Sequence, residues 1–349
     1  MSLAVKKMPS SRARHHLLGL AQSLLTLALT LLGLLVITFL LSALSPVDRV
    51  LQIVGDHASE STYQQVKQQL GLDQPLIVQF WHYLTQLVHG NLGIASSTGQ
   101  PVLSDLMTAF PATIELATIA LIFGATLGVL LGILCARYVG SKFDIVVRFI
   151  TLLGNSVPIF WLGLLMLLLF YAQLHWSPGP GRLDDIYQYT IEMKTGFALI
   201  DTWRSGESGA FANAIGHLIL PVALLAYYSL ASITRLTRSS CLSELNKEYV
   251  TLARAKGAGE LRIIFSHVLP NIRGTLLTVV ALSYTGMLEG AVLTETVFSW
   301  PGIGRYLTTA LFAGDTTAIM GGTLLIGIGF ILINNLTDLL VRQLDPRAR

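Results

Sequence analysis

The stretch Glu248-Tyr-Val-Thr-Leu-Ala-Arg-Ala-Lys-Gly257, followed by Ile263, Ile264, Phe265 and then Val268-Leu-Pro270-Asn271, lies in a basic segment between two apolar runs. Each run is long enough to span a bilayer. Helix-forming residues on both sides of Gly257 predict two short helices joined by a turn, a compact foot that stands off a membrane surface. Such a foot presents Leu252, Ala253 and Ala255 to a partner, with Glu248, Tyr249, Arg254 and Lys256 around them. A two-helix foot between membrane spans reads as a docking element, and Gly257 sets the angle between its halves.

Outward from the foot, composition agrees with a membrane protein. Mean hydropathy is +0.62 and only 12% of residues are charged, against about 25% in ordinary soluble domains. Apolar runs near 17–44, 110–136, 146–174, 214–234, 274–298 and 319–341 predict an all-α membrane protein with six transmembrane helices in one domain, 1–349. With the N-terminus inside, the inner segments hold 17 of the 23 Lys and Arg residues and the outer segments 6. Positive charge is retained on the cytoplasmic side, so both termini, residues 1–16 and the foot segment 235–273 are expected there. The net charge of +3 follows from this bias and carries little argument for nucleic acid. The first apolar run exceeds the 7–15 residues of a signal-peptide core and is expected to stay as a helix. Cys135 and Cys241 lack metal-ligand or redox spacing and read as inert.

The segment 45–109 is too long for a simple connection and is expected to fold as a helical insertion. Ser61 with Gln64 reads as a capping box, and Gly71 as the stop of that helix. After Asp73-Gln-Pro75 a second helix carries Leu76, Phe80, Tyr83, Leu84 and Leu87 on one stripe before Gly90. This pair either receives a solute-loaded binding protein or packs as a lid on neighbouring helix ends. The Gly-, Pro- and acid-rich segment 175–213 reads as a solvated loop, with recognition of a cationic ligand as the other reading. His217 and Pro221 are expected to open the fourth span, and Trp300-Pro-Gly-Ile-Gly304 to bend the chain sharply.

Within the spans, ionisable and helix-breaking residues draw attention. A carboxylate in mid-span costs about 2.5 to 3.5 kcal/mol on insertion scales, so Glu289 is expected to face a pathway or a partner. It either meets an ammonium group or metal cation in transit, or ties to Tyr284, Thr294 or a neighbouring subunit. Asn155, Ser156, Pro158 and Trp161 interrupt the third span, as a pathway lining or as a structural kink. Glu295, nearer the outer end, reads as structural, and Asn334 with Asp338 as helix-to-helix glue. No Gly-Lys dipeptide occurs, so the chain has no phosphate-cradling GxxxxGK[ST] loop and ATP must bind elsewhere.

The foot resembles the cytoplasmic loop of bacterial ABC importer permeases, in which a Gly is followed thirteen residues later by Pro, as Gly257 is by Pro270. Further segments are similar to the dipeptide, oligopeptide and nickel permease branch: Gln69-Leu-Gly-Leu-Asp-Gln-Pro-Leu76, Gly90-Asn-Leu-Gly93, Thr98-Gly-Gln-Pro-Val102, Phe110-Pro-Ala-Thr-Ile-Glu-Leu-Ala117, His217-Leu-Ile-Leu-Pro221, Ala291-Val-Leu-Thr-Glu-Thr-Val-Phe-Ser-Trp-Pro-Gly302 and Asp345-Pro-Arg347. Thr251-Leu252-Ala253 departs from the Glu-Ala-Ala of general importers, and Glu289 stands where that family has a small residue. The resemblance implies a type I ABC importer fold in the bacterial inner membrane and an import function for di- or oligopeptides. It also implies a second, similar permease subunit, two cytoplasmic ATPase subunits that carry ATP and Mg, and a periplasmic or extracellular solute-binding protein. Nickel chelates, cationic antimicrobial peptides and polyamines remain alternative solutes. A secondary carrier is the alternative of another class, although it has no use for a docking foot. HExxH and GxSxG are absent, against a membrane enzyme.

Overall fold

A computed structural model describes residues 11–44, 47–55 and 57–344. Six long helical units form the body: α1 (Ser11–Ala43), α5 (Val102–Arg137), the broken pair α6 (Lys142–Ser156) and α7 (Ile159–Met166), α10 (Ala210–Leu245), α13 (Leu269–Val297) and α15 (Thr316–Leu344). Between α1 and α5 lie α2 (Arg49–Val54), α3 (Glu60–Gln69) and α4 (Leu76–Val88); α8 (Asp185–Thr190) and α9 (Ala198–Ser205) precede α10. The foot is α11 (Glu248–Ala255) and α12 (Glu260–Ile263), and α14 (Ile303–Phe312) precedes α15. Among the described residues the only β pairing is an isolated bridge between Ile94 and Pro101. Among the described residues five helices are long and apolar enough to cross a membrane, and the count is six where the broken pair is taken as one span.

That third unit is an elbow rather than a kink. Pro158 forces its predecessor out of the helical region, and Val157 sits at φ −91°, ψ 130°. The two arms, Lys142–Ser156 and Ile159–Gln173, consequently diverge by 106°. The second arm ends in a π-helical turn, Leu167–Gln173. Another π-helical turn, Ile264–Val268, links α12 to α13. It lies just before Pro270, whose ring clashes with the carbonyl four residues back in a regular helix.

The centre of the body is the α5–α10 contact. Gly124, Gly128 and Gly132 recur every four residues on α5, and the side chains opposite them leave no space for a methyl group. A Cβ at Gly124 would come within 1.9 Å of Ser229 Oγ, and one at Gly132 within 2.6 Å of Thr237 Cβ. Small residues at this spacing let two helix backbones approach closely where lipid offers no hydrophobic drive. α1 lies against α15, and a Cβ at Gly327 would sit 2.4 Å from Leu34 Cδ2. The other face of α1 exposes Leu25, Leu29, Ile37 and Leu41, as a lipid-facing helix does.

Several local expectations need correction. The cap of α3 is Ser59, whose Oγ accepts from Thr62 N; Ser61 lies inside the helix, and Gln64 bonds Glu60 instead. Phe80 and Tyr83 of the α4 stripe pack on Phe39 of α1, with ring centroids 5.2 and 6.3 Å apart. His217 and Pro221 do not open the fourth span, because α10 already begins at Ala210. The segment 175–213 is no solvated loop. It contains α8 and α9, and three of its charged groups are tied to the body or to each other's segments: Arg182 meets Glu115, Asp184 meets His217 and Asn213, and Asp201 accepts from Thr195 and Gly196, while Asp185, Glu192, Lys194, Arg204 and Glu207 stay exposed. The side chain of Asp338 and the motif at residues 345–347 lie outside the described residues.

Candidate functional site

The foot is built as two helices on a sunken base. Gly257 adopts φ +81°, a left-handed conformation that stops α11 and turns the chain toward α12. Val250, Ile263, Ile264 and Val268 are buried against Ile133 and Ala136 of α5 and Cys241 of α10, with Ala253 packed beside them. Tyr249 faces the body as well: its hydroxyl donates to Glu244 at 2.7 Å and accepts from Asn271 at 3.1 Å. Burial, together with the Glu244 carboxylate, raises the Tyr249 phenol above its usual range, which keeps it a neutral donor. Arg254 forks onto Glu260 with contacts of 2.8 and 3.2 Å, clamping α11 to α12 across the glycine. Glu248, Leu252, Ala255 and Lys256 are exposed, and Leu261 and Phe265 extend the exposed apolar surface. Of the foot residues singled out in sequence, Tyr249 and Ala253 therefore anchor, and the others face outward. The buried anchor Val250 was missed; its spacing from Ala253, three residues on, marks the inner stripe.

The pathway candidates cluster around the elbow. Asn155 donates from Nδ2 to Thr151 O and accepts from Ser232 of α10 at 3.2 Å; Ser156 returns its hydroxyl to Leu152 O. These side chains answer backbone groups near the break, and Asn155 joins α6 to α10. Trp161 is half exposed on α7. Glu289 is exposed on α13 and has no hydrogen bond or ion pair with a described residue. Its two intramolecular partners considered in sequence are engaged elsewhere: Tyr284 with Thr118 at 3.0 Å, and Thr294 with Gly290 O. Gly290, next to it in sequence, faces Ile159 of α7 and Leu225 of α10.

At the end of the body opposite the foot, two buried carboxylates organise the connections. Glu115 of α5 accepts from Arg182 Nη2 and from the first N–H groups of α9, Ala198 and Leu199. Arg182 also reaches Gly196 O and lies over the Trp300 ring, 5.5 Å from its centroid. Glu295 of α13 accepts from Thr113 Oγ1 at 2.6 Å, Gly304 N at 2.7 Å and Arg305 N at 3.2 Å. It thereby caps α14 and shapes the Trp300-Pro-Gly-Ile-Gly304 bend, the structural role read in sequence. Asp315, also buried, accepts from Ser97 N and Oγ and so pins the 93–101 turn. Glu115 and Arg182 were not recognised as a pair in sequence. The acid's position inside an otherwise apolar run was the one available sign.

Comparison with known proteins decides the family. Residues 128–349 match the family described as "Binding-protein-dependent transport system inner membrane component", and residues 17–117 match the N-terminal part of that transport system membrane component. The chain belongs to this family. Among curated members, the probable D,D-dipeptide transport system permease protein of Escherichia coli (strain K12) is 43% identical over 321 residues, 92% of this chain and 94% of that protein. The di/tripeptide transport system permease protein of Pseudomonas aeruginosa (strain UCBPP-PA14) is also 43% identical, covering 92% and 95%. The dipeptide transport system permease protein of Escherichia coli (strain K12) is 40% identical over 324 residues. In fold, the chain is similar to a chain of the inward-facing MetNI methionine ABC transporter, with TM-score 0.50 and 16% identity over 67% of this chain and 93% of the other. The inner membrane component read here is thus a permease subunit of an ABC importer with a type I permease fold. Glu115 falls in the N-terminal match, and the elbow, Arg182, the foot, Glu289 and Glu295 all fall in the larger one.

Proposed function

We propose that this permease subunit moves di- or oligopeptides inward across the bacterial inner membrane, driven by ATP hydrolysed on partner chains. The observation that carries the reading is the foot, a pair of helices with an exposed apolar and basic surface whose base is sunk into α5 and α10. A surface so placed transmits a push from a cytoplasmic ATPase directly to two of the longest helices. The peptide substrate is supported by the names that relatives at 40–43% identity carry. Both termini are cytoplasmic in this reading, which the distribution of Lys and Arg supports. The assembly has a second, similar permease, two ATPase subunits holding ATP and Mg, and an external solute-binding protein. Glu289, exposed on α13, meets the ammonium terminus of the peptide as it passes between the two permeases; Asn155, Ser156 and Trp161 border the same route.

The test is Gly257→Val in the complete complex, reconstituted in proteoliposomes with its binding protein. A β-branched residue resists φ +81°, at a cost of about 1–2 kcal/mol, so the turn between α11 and α12 should reorient. No neighbouring atom lies within 4 Å of a Cβ there, so the strain is confined to the backbone. The expected result is ATP hydrolysis without peptide uptake. Normal uptake at the normal ratio of peptide to ATP would remove the foot from the mechanism.

A further inference from the structure

Between the start of α5, the 180–196 segment and the turn before α14 lies a cavity of about 620 Å³. Its walls carry three cations, Arg182, Lys194 and Arg305, and no Asp or Glu among the described residues lines it. Arg182 is about nine-tenths buried, and its Nη2 is held from behind by Glu115 and Gly196 O. Its Nε is buried without a hydrogen-bond partner. Arg305 uses Nη1 on Ser299 O, and Lys194 has only the exposed Glu192 at 3.5 Å. Met107, Leu183, Met193 and Pro301 supply apolar wall.

We infer that this cavity is a receiving site for the free carboxylate of a small solute, with the α-carboxylate of a short peptide as the group it takes. Two guanidinium side chains and one ammonium side chain lining one cavity without a lining acid favour an anion, and planar Arg donors match a carboxylate in particular. The volume argues for a whole small molecule rather than one acidic side chain of a docked protein, since small-molecule sites span about 300–1,000 Å³. The cavity lies at the end of the body away from the foot, the outer end in the topology proposed above. This site rests on the peptide reading and adds to it which end of the solute is held first.

The experiment uses the complex with its partner subunits in nanodiscs and, as probe, the dipeptide alanyl-photoleucine with a free carboxylate. After irradiation, adducts are mapped by mass spectrometry. Adducts should fall on the peptides containing Met107 or Met193, and excess Ala-Leu should suppress them by at least about fivefold while Ala-Leu amide does not. Arg305→Gln combined with Lys194→Gln should lower labelling to a similar extent. Suppression by propionate as well would support a site for small organic anions generally, whereas suppression by Ala-Leu alone would identify the peptide. Equal competition by acid and amide, or adducts only elsewhere, would overturn the site. If ATP-driven uptake persists in that case, the transport reading survives without it.

Discussion

Replacing Arg182 with Met would leave the Glu115 carboxylate buried with two backbone N–H donors and no counter-ion. Breaking one side of a buried ion pair costs about 3–5 kcal/mol, so Arg182→Met should lower the melting temperature in detergent clearly. Glu115→Gln added to it should recover part of the loss, because the uncompensated charge is gone; a second drop of equal size would mean the two residues act independently. Glu289 calls for a different measurement. Glu289→Gln should leave stability close to wild type, since the side chain is exposed and makes no hydrogen bond or ion pair with a described residue. Uptake of a peptide with a free amino terminus should fall by about tenfold, and that of its N-acetylated form should not, if the carboxylate meets an ammonium in transit. The contrast between these two acids was only half legible in sequence. Glu289 is conspicuous as a charge inside an apolar run, whereas the partner of Glu115 lies 67 residues away and no local pattern connects them.

Among the elements, the glycine stripe of α5 sets the geometry of everything attached to α5 and α10. Gly132→Val forces two branched methyl groups into a space already occupied by Thr237, and overpacking of this kind costs about 1–3 kcal/mol. The complex carrying it should denature at lower temperature and, because Ile133 and Ala136 hold the foot, should also recover less ATPase subunit on purification. Hydropathy and length made the six spans readable, and the foot was readable because Gly257, with Gly259 close behind it, separates two helix-forming stretches. The 175–213 segment was not, because its folding depends on side chains that meet across the chain: Asp184 reaches His217, and Arg182 reaches Glu115. The Gly124, Gly128 and Gly132 spacing was present in the sequence, but only the facing Ser229, Ile233 and Thr237 show which helix it meets.

For the molecule as a whole, the unpaired surfaces are as informative as the core. The elbow, Glu289 and the foot are all left uncovered within one chain, and the proposed assembly would cover each with another subunit. Purification of the tagged protein in mild detergent should therefore recover a second permease chain and one or two ATPases, identified by mass spectrometry. Recovery of a folded, monodisperse single chain would return weight to a carrier that works alone. The α5–α10 contact adds a mechanical consequence. Each of these helices has 36 residues, about 54 Å of helix, and along their paired stretch Ser229, Ile233 and Thr237 of α10 press directly on the glycine backbone of α5, which leaves little slack to absorb a displacement. Near one end the rods hold the foot, and on the other side of their middle they hold Glu115 and His217 with the segments those residues anchor. A tilt of the pair by about 5° about its middle would carry the two ends some 2 Å in opposite directions. Such a pair would work as a seesaw turned on end, in which a sideways push at one membrane face becomes a sideways swing the opposite way at the other.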